Sequence, residues 1–130
     1  MRKIEFLGWA FLVSFFVSGC GKNSDEQLQK DAALMASLEC EARHLKDERF
    51  KVANDIRLME DSLAKHKIAL TADQSREIDS VTKVYTLRTG ALADKITKTM
   101  DSLFAAGYQT ARQRQVLDEA TEKKLREVCK

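Results

Sequence analysis

From Leu28 onward the apolar positions recur in a heptad-like pattern. Leu28, Met35, Ala42, Ile56 and Leu63 share one seam position, broken by Arg49, and Leu38, Leu45, Val52 and Met59 share the other. That spacing predicts an amphipathic helix of roughly forty residues, running to about Ala69. At ~1.5 Å per residue it would be ~60 Å long, and so needs a packing partner for much of its length. The stretch "ALTADQSREID" interrupts the pattern. Thr71 and Gln74 are spaced as a capping box, the hydroxyl accepting from an orphan backbone N–H while the amide reaches back. Ile78, Val81, Tyr85, Leu92, Ile96 and Leu103 then continue one helical face. Gly107 separates this from a last helix around Thr110 to Val128, with Val116, Leu117, Leu125 and Val128 facing inward. The short turn before Thr71 makes the first two helices antiparallel. The expected fold is therefore all-α: an antiparallel helical hairpin elaborated to a three- or four-helix bundle.

Composition supports long helices. Proline is absent, and beyond residue 20 glycine occurs only at Gly21, Gly90 and Gly107. Gly90 leaves the architecture open. The apolar face keeps register through it, which predicts an unbroken second helix, and a lone interior glycine costs only ~1 kcal/mol. An unbroken second helix returns to about the level of Ala33. A third helix climbing from there would place Cys129 beside about Asp55, ~20 Å from Cys40. Pairing the two cysteines therefore predicts a break or strong kink at Gly90.

The beginning of the chain has a different character. Arg2 and Lys3 precede an apolar run from Phe6 to Val17, interrupted only by Gly8 and Ser14. The run is short for a membrane-spanning helix, which needs ~20 apolar residues, and suits the h-region of a signal peptide. Val17-Ser18-Gly19-Cys20 resembles the lipobox of bacterial lipoproteins. That resemblance implies cleavage before Cys20, a diacylglyceryl group on its thiol and acylation of the new amino terminus. The expected division is a signal peptide at 1–19, a lipidated tether at 20–27, with Ser24 or Asp25 as N-cap of the first helix, and a single helical domain at 28–130. Gly21 does not match the aspartate that retains lipoproteins at the inner membrane in some bacteria, which favours the outer membrane of the cell envelope. Lys22–Glu26 resembles the Lys-plus-acidic export signal of surface lipoproteins in certain Bacteroidetes, so the periplasmic and surface faces both stay open.

Charge excludes further classes. The chain has 22 basic and 20 acidic residues, a net charge of +2. Loss of residues 1–19 removes Arg2, Lys3 and Glu5 and leaves about +1, with both signs interleaved. No basic stripe of the kind that binds nucleic acid is present, nor a polybasic helix for a membrane surface. The membrane partner implied is the lipid at Cys20 alone.

With Cys20 lipidated, Cys40 and Cys129 form an even pair in an oxidising compartment. Cys40 lies opposite the apolar seam, where a further helix would cover it. An internal bridge is expected, with an intermolecular bridge in a homodimer as the rival and free thiols third. Cys40 and His44 are four apart on one helix face, and Cys129 added to them would make a soft metal site. A disulfide consumes both thiols, so no metal is expected. His66, between two lysines, is expected to be exposed. Neither histidine has a Ser or Asp at a spacing that makes a nucleophile–base pair, and no glycine-rich loop cradles a phosphate. No catalytic residue and no cofactor beyond the lipid is expected.

Leu70, Thr71 and Gln74 match the LTxxQ motif of the small helical periplasmic proteins related to Spy and CpxP. "YQTARQRQVLDE", residues 108–119, reads as a degenerate second copy. The resemblance implies an ATP-independent chaperone or an envelope-stress or metal sensor. Against it stands the leading expectation: a non-catalytic interaction module that presents helix faces to another envelope protein. A third expectation, by architecture alone, is a pilot lipoprotein for a secretion-system subunit.

Overall fold

The computed structural model describes residues 25–130. The expected signal peptide, Cys20 and the first part of the expected tether lie outside the described residues. Among the described residues the chain forms three helices: α1 (Asp25–Lys65), α2 (Ala72–Ala106) and α3 (Ala111–Val128). The all-helical expectation therefore holds. Residues 25–27, assigned to the tether from sequence, already belong to α1.

α1 ends at Lys65, short of the expected Ala69. Lys67 turns into the left-handed region at φ 57°. Its N–H donates to the Ala64 carbonyl at 3.0 Å, and the Ile68 N–H donates to the Leu63 carbonyl at 2.9 Å. This pair of bonds is a Schellman cap, built here on lysine instead of the usual glycine. α2 opens on the Thr71 box: the Gln74 N–H donates to Thr71 Oγ1 at 3.2 Å, and the Thr71 N–H donates to Gln74 Oε1 at 2.9 Å.

α2 descends antiparallel to α1. Arg88 pairs with Glu48 at 2.9 Å and Lys95 with Glu41 at 3.9 Å. Behind these exposed pairs, Leu38, Leu45 and Leu92 are buried together, flanked by Ala42, Tyr85 and Ile96. α2 continues unbroken through Gly90. The break expected from the cysteines does not form, yet Cys40 and Cys129 still meet at disulfide-bonding distance, with Cα atoms 5.4 Å apart. The reason lies in the register of α2 and, more, in the connection that follows it. With Lys95 level with Glu41, α2 passes Ala33 and ends near Lys30. Gly107–Thr110 then cross to α1 without climbing. α3 thus starts level with the first turns of α1 and rises parallel to it: Leu117 packs on Ala32, and Leu125 on Ala36 and Cys40.

Two faces of α1 do separate work. Met35, Leu38 and Leu45 are buried on the heptad seam, while Ala32 and Ala36 are wholly inaccessible and Cys40 is 9% exposed. Ala32, Ala36 and Cys40 recur every four residues, a strip of small side chains that admits α3. In α3 the inward residues are Leu117, Thr121 and Leu125. Val116 and Val128, expected inside, are 43% and 58% exposed. The polar connection at the base is buried as well. Tyr108 donates from its hydroxyl to Asp31 Oδ2 at 2.8 Å, and Gln27 Nε2 donates to Asp31 Oδ1 at 2.8 Å.

Candidate functional site

α3 covers only the lower part of the hairpin. Its end is level with His44, whose Nε2 lies 4.0 Å from Cys129 Sγ. Beyond Leu45, among the described residues, α1 and α2 have only each other. Two helices cannot enclose their facing residues, so Val52, Ile56, Met59, Ile78, Val81 and Tyr85 are half-buried where a third helix would bury them.

The consequence is a groove of about 490 Å³ between α1 and α2. Phe50, Val52, Ala53, Ile56, Val81 and Tyr85 supply its apolar lining. Its charged lining residues are both basic, Lys46 and Arg49. Lys46 Nζ lies 5.7 Å from the Phe50 ring centroid, and Arg49 donates to Thr89 Oγ1 at 3.3 Å. Toward the tip a second hollow of about 240 Å³ continues past Met59, Gln74 and Ile78, and its charged lining residues are acidic, Asp55 and Glu77. The hairpin thus offers an apolar track, basic at one end and acidic at the other. Phe50 is 64% exposed in this track. Sequence reasoning missed it because Phe50 follows the seam position held by Arg49, and the heptad pattern passes it by.

The Cys40–His44–Cys129 group forms a second site. The three potential ligand atoms lie within 4.8 Å of one another, with Cys40 buried, His44 exposed and Cys129 intermediate. His66 is exposed, as expected from sequence, and bonds through Nδ1–H to the Ser62 carbonyl at 2.8 Å.

Leu70, Thr71 and Gln74 sit at the hairpin tip, far from the cysteines along α1. Their counterpart at the opposite end is closer than its sequence indicates. The Gln113 N–H donates to Thr110 Oγ1 at 3.2 Å, and the Thr110 N–H donates to Gln113 Oε1 at 2.9 Å. The two Thr-x-x-Gln caps are structurally the same device at opposite poles. No described helix is long and apolar enough to cross a membrane. Comparison of the chain with protein-family models, curated proteins and solved structures found no match.

Proposed function

We propose that the chain is a lipid-anchored envelope protein that acts as a non-catalytic helical interaction module. Lipid on Cys20 holds the bundle at a membrane, the outer one in preference to the inner, and the bridge from Cys40 to Cys129 fastens α3 in an oxidising compartment. The two-helix end of the hairpin receives an amphipathic helix of another envelope protein. The observation that carries this reading is the uncovered apolar track beyond Leu45. A helix laid there completes a three-helix packing that α3 provides only lower down, an instance of helix-in-groove recognition. Lys46 and Arg49 favour acidic residues beside one end of the partner's apolar stripe, and Asp55 and Glu77 favour basic ones beside the other.

Two experiments test this. Labelled palmitate should enter the wild-type chain and not Cys20→Ala; equal labelling removes the anchor. A photo-crosslinking residue in place of Phe50 should capture a defined envelope protein that the same residue at Val116 does not. Equal capture from both positions, or none from Phe50, removes the groove as the interaction surface.

The two Thr-x-x-Gln caps favour a second reading, an ATP-independent chaperone similar to the LTxxQ proteins, with the apolar track holding unfolded segments. The full chain should then suppress aggregation of a denatured substrate at near-stoichiometric ratio. A folded chain that suppresses nothing excludes it.

A further inference from the structure

The Cys40–Cys129 bridge has a neighbour that a purely structural cross-link does not require. His44 lies one helical turn above Cys40 on α1, a spacing that puts both side chains on one face. α3 delivers Cys129 to the same point, with its Sγ 4.0 Å from His44 Nε2. The three ligand atoms converge within 4.8 Å. The set comes from two elements whose relative position is already set by Leu117 on Ala32 and Leu125 on Ala36.

We propose that Cys40, His44 and Cys129 form a redox-gated site that, once the disulfide is reduced, binds one soft closed-shell cation, Cu(I) or Zn(II). Two thiolates and an imidazole are the ligand types those ions select. The geometry needs little change. Metal–sulfur bonds of ~2.3 Å place two coordinating sulfurs about 3.7 Å apart in a tetrahedral site. The sulfurs must therefore part by about 1.7 Å from bonding distance, while His44 Nε2 already stands near its ligand position. Cys129 follows the last residue of α3, where the backbone yields most easily, and the exposed His44 leaves the ion a path from solvent. Solvent or a metal donor takes the fourth position.

The chemistry balances as follows. A dithiol reductant gives two electrons and two protons to the Cys40–Cys129 bond and itself becomes a disulfide, leaving two thiols. Metal binding then expels both thiol protons and forms two metal–sulfur bonds and one metal–nitrogen bond. In the oxidised chain the sulfurs have no thiolate charge to donate, so the site is closed. Bound metal in turn protects the thiols from reoxidation.

Anaerobic titration of the full chain, with and without prior reduction by a phosphine that is then removed, tests the proposal. Cu(I) and Zn(II) are offered separately against a chromogenic chelator, with Co(II) as the spectroscopic probe and far-ultraviolet circular dichroism as the control for folding. The reduced chain should take up one equivalent and show thiolate-to-cobalt charge transfer, and the unreduced chain should take up none. His44→Ala should weaken uptake by tenfold or more, Cys40→Ser should abolish it, and Cys20→Ser should leave it unchanged. A reduced chain that loses helix and regains it with one equivalent of metal also supports the site. Absence of uptake by the reduced chain overturns it, as does uptake that His44→Ala does not alter, uptake by the oxidised chain, or loss of uptake in Cys20→Ser.

Discussion

Lys67 occupies a conformation that glycine adopts more readily. At φ 57° its Cβ crowds the following carbonyl, at a cost of about 1–2 kcal/mol, part of which glycine returns through its greater freedom when unfolded. Lys67→Gly is therefore expected to stabilise the chain by about 0.5–1 kcal/mol, read from the urea midpoint at an unchanged slope. Tyr108 presents the opposite case. Its hydroxyl satisfies one oxygen of the buried Asp31, and Tyr108→Phe leaves that oxygen short of a donor. A loss of about 1–3 kcal/mol is expected in the same measurement. The two kinds of residue differ in how far they can be read from sequence. The Thr71 cap rests on bonds between residues three apart, so its letters suffice. Tyr108 and Asp31 are brought together by the descent of α2, and no local pattern joins them.

At the scale of the helix, Gly90 is the informative position. It is exposed within α2, and a Cβ added there would meet nothing within 4 Å. Gly90→Ala should raise stability by about 0.5–1 kcal/mol, since the helix is continuous and alanine loses less backbone freedom. A kinked or functional break would instead make alanine neutral or harmful, so a lower thermal midpoint counts against a straight α2. Periodicity read this helix correctly because an unbroken apolar face needs an unbroken helix. The argument from cysteine pairing failed because it fixed the level of the α2–α3 connection by residue counting. Register is set by side chains across the interface: Lys95 opposite Glu41 lowers the end of α2 by only about three residues, and the larger share comes from Gly107–Thr110, which do not climb, and from Leu117 seating α3 on Ala32. The same limit explains Val116 and Val128. They are apolar, but an 18-residue helix lying chiefly on α1, with Leu103 and Phe104 of α2 at its side, has a narrow buried stripe, which Leu117, Thr121 and Leu125 fill.

At the scale of the molecule, packing among the described residues divides the hairpin into a three-helix base and a two-helix tip. Hydrogen exchange should follow that division, with amides of α1 beyond Leu45 and of α2 before Arg88 exchanging faster than those of residues 31–40 and 117–125. Uniform protection along α1 would mean that the tip is covered. The bridge from Cys40 to Cys129 spans 89 residues, and closing so long a loop is worth up to ~4–5 kcal/mol in the chain-entropy model. Reduction should lower the thermal midpoint and act first on α3, whose last turn the bridge holds. A reduced chain with an unaltered midpoint would show that α3 is held by Leu117 and Leu125 alone.

The sequence by itself determined the helical class and the boundary at Thr71, and it singled out Cys40 and Cys129 as candidate partners while leaving the bridge internal or intermolecular and α2 whole or broken at Gly90. Each of these depends on spacing within one segment or on the chemistry of a residue type, both of which survive without a fold. Only the tertiary structure decided that α2 is unbroken and how far down it runs, that α3 lies on the strip of Ala32, Ala36 and Cys40, that Cys129 reaches both Cys40 and His44, and that, among the described residues, the hairpin tip keeps an open groove at Phe50. Those features are relations between residues far apart in the chain, set by the relative shift of packed helices, and a shift between helices leaves no mark in the periodicity of any one of them.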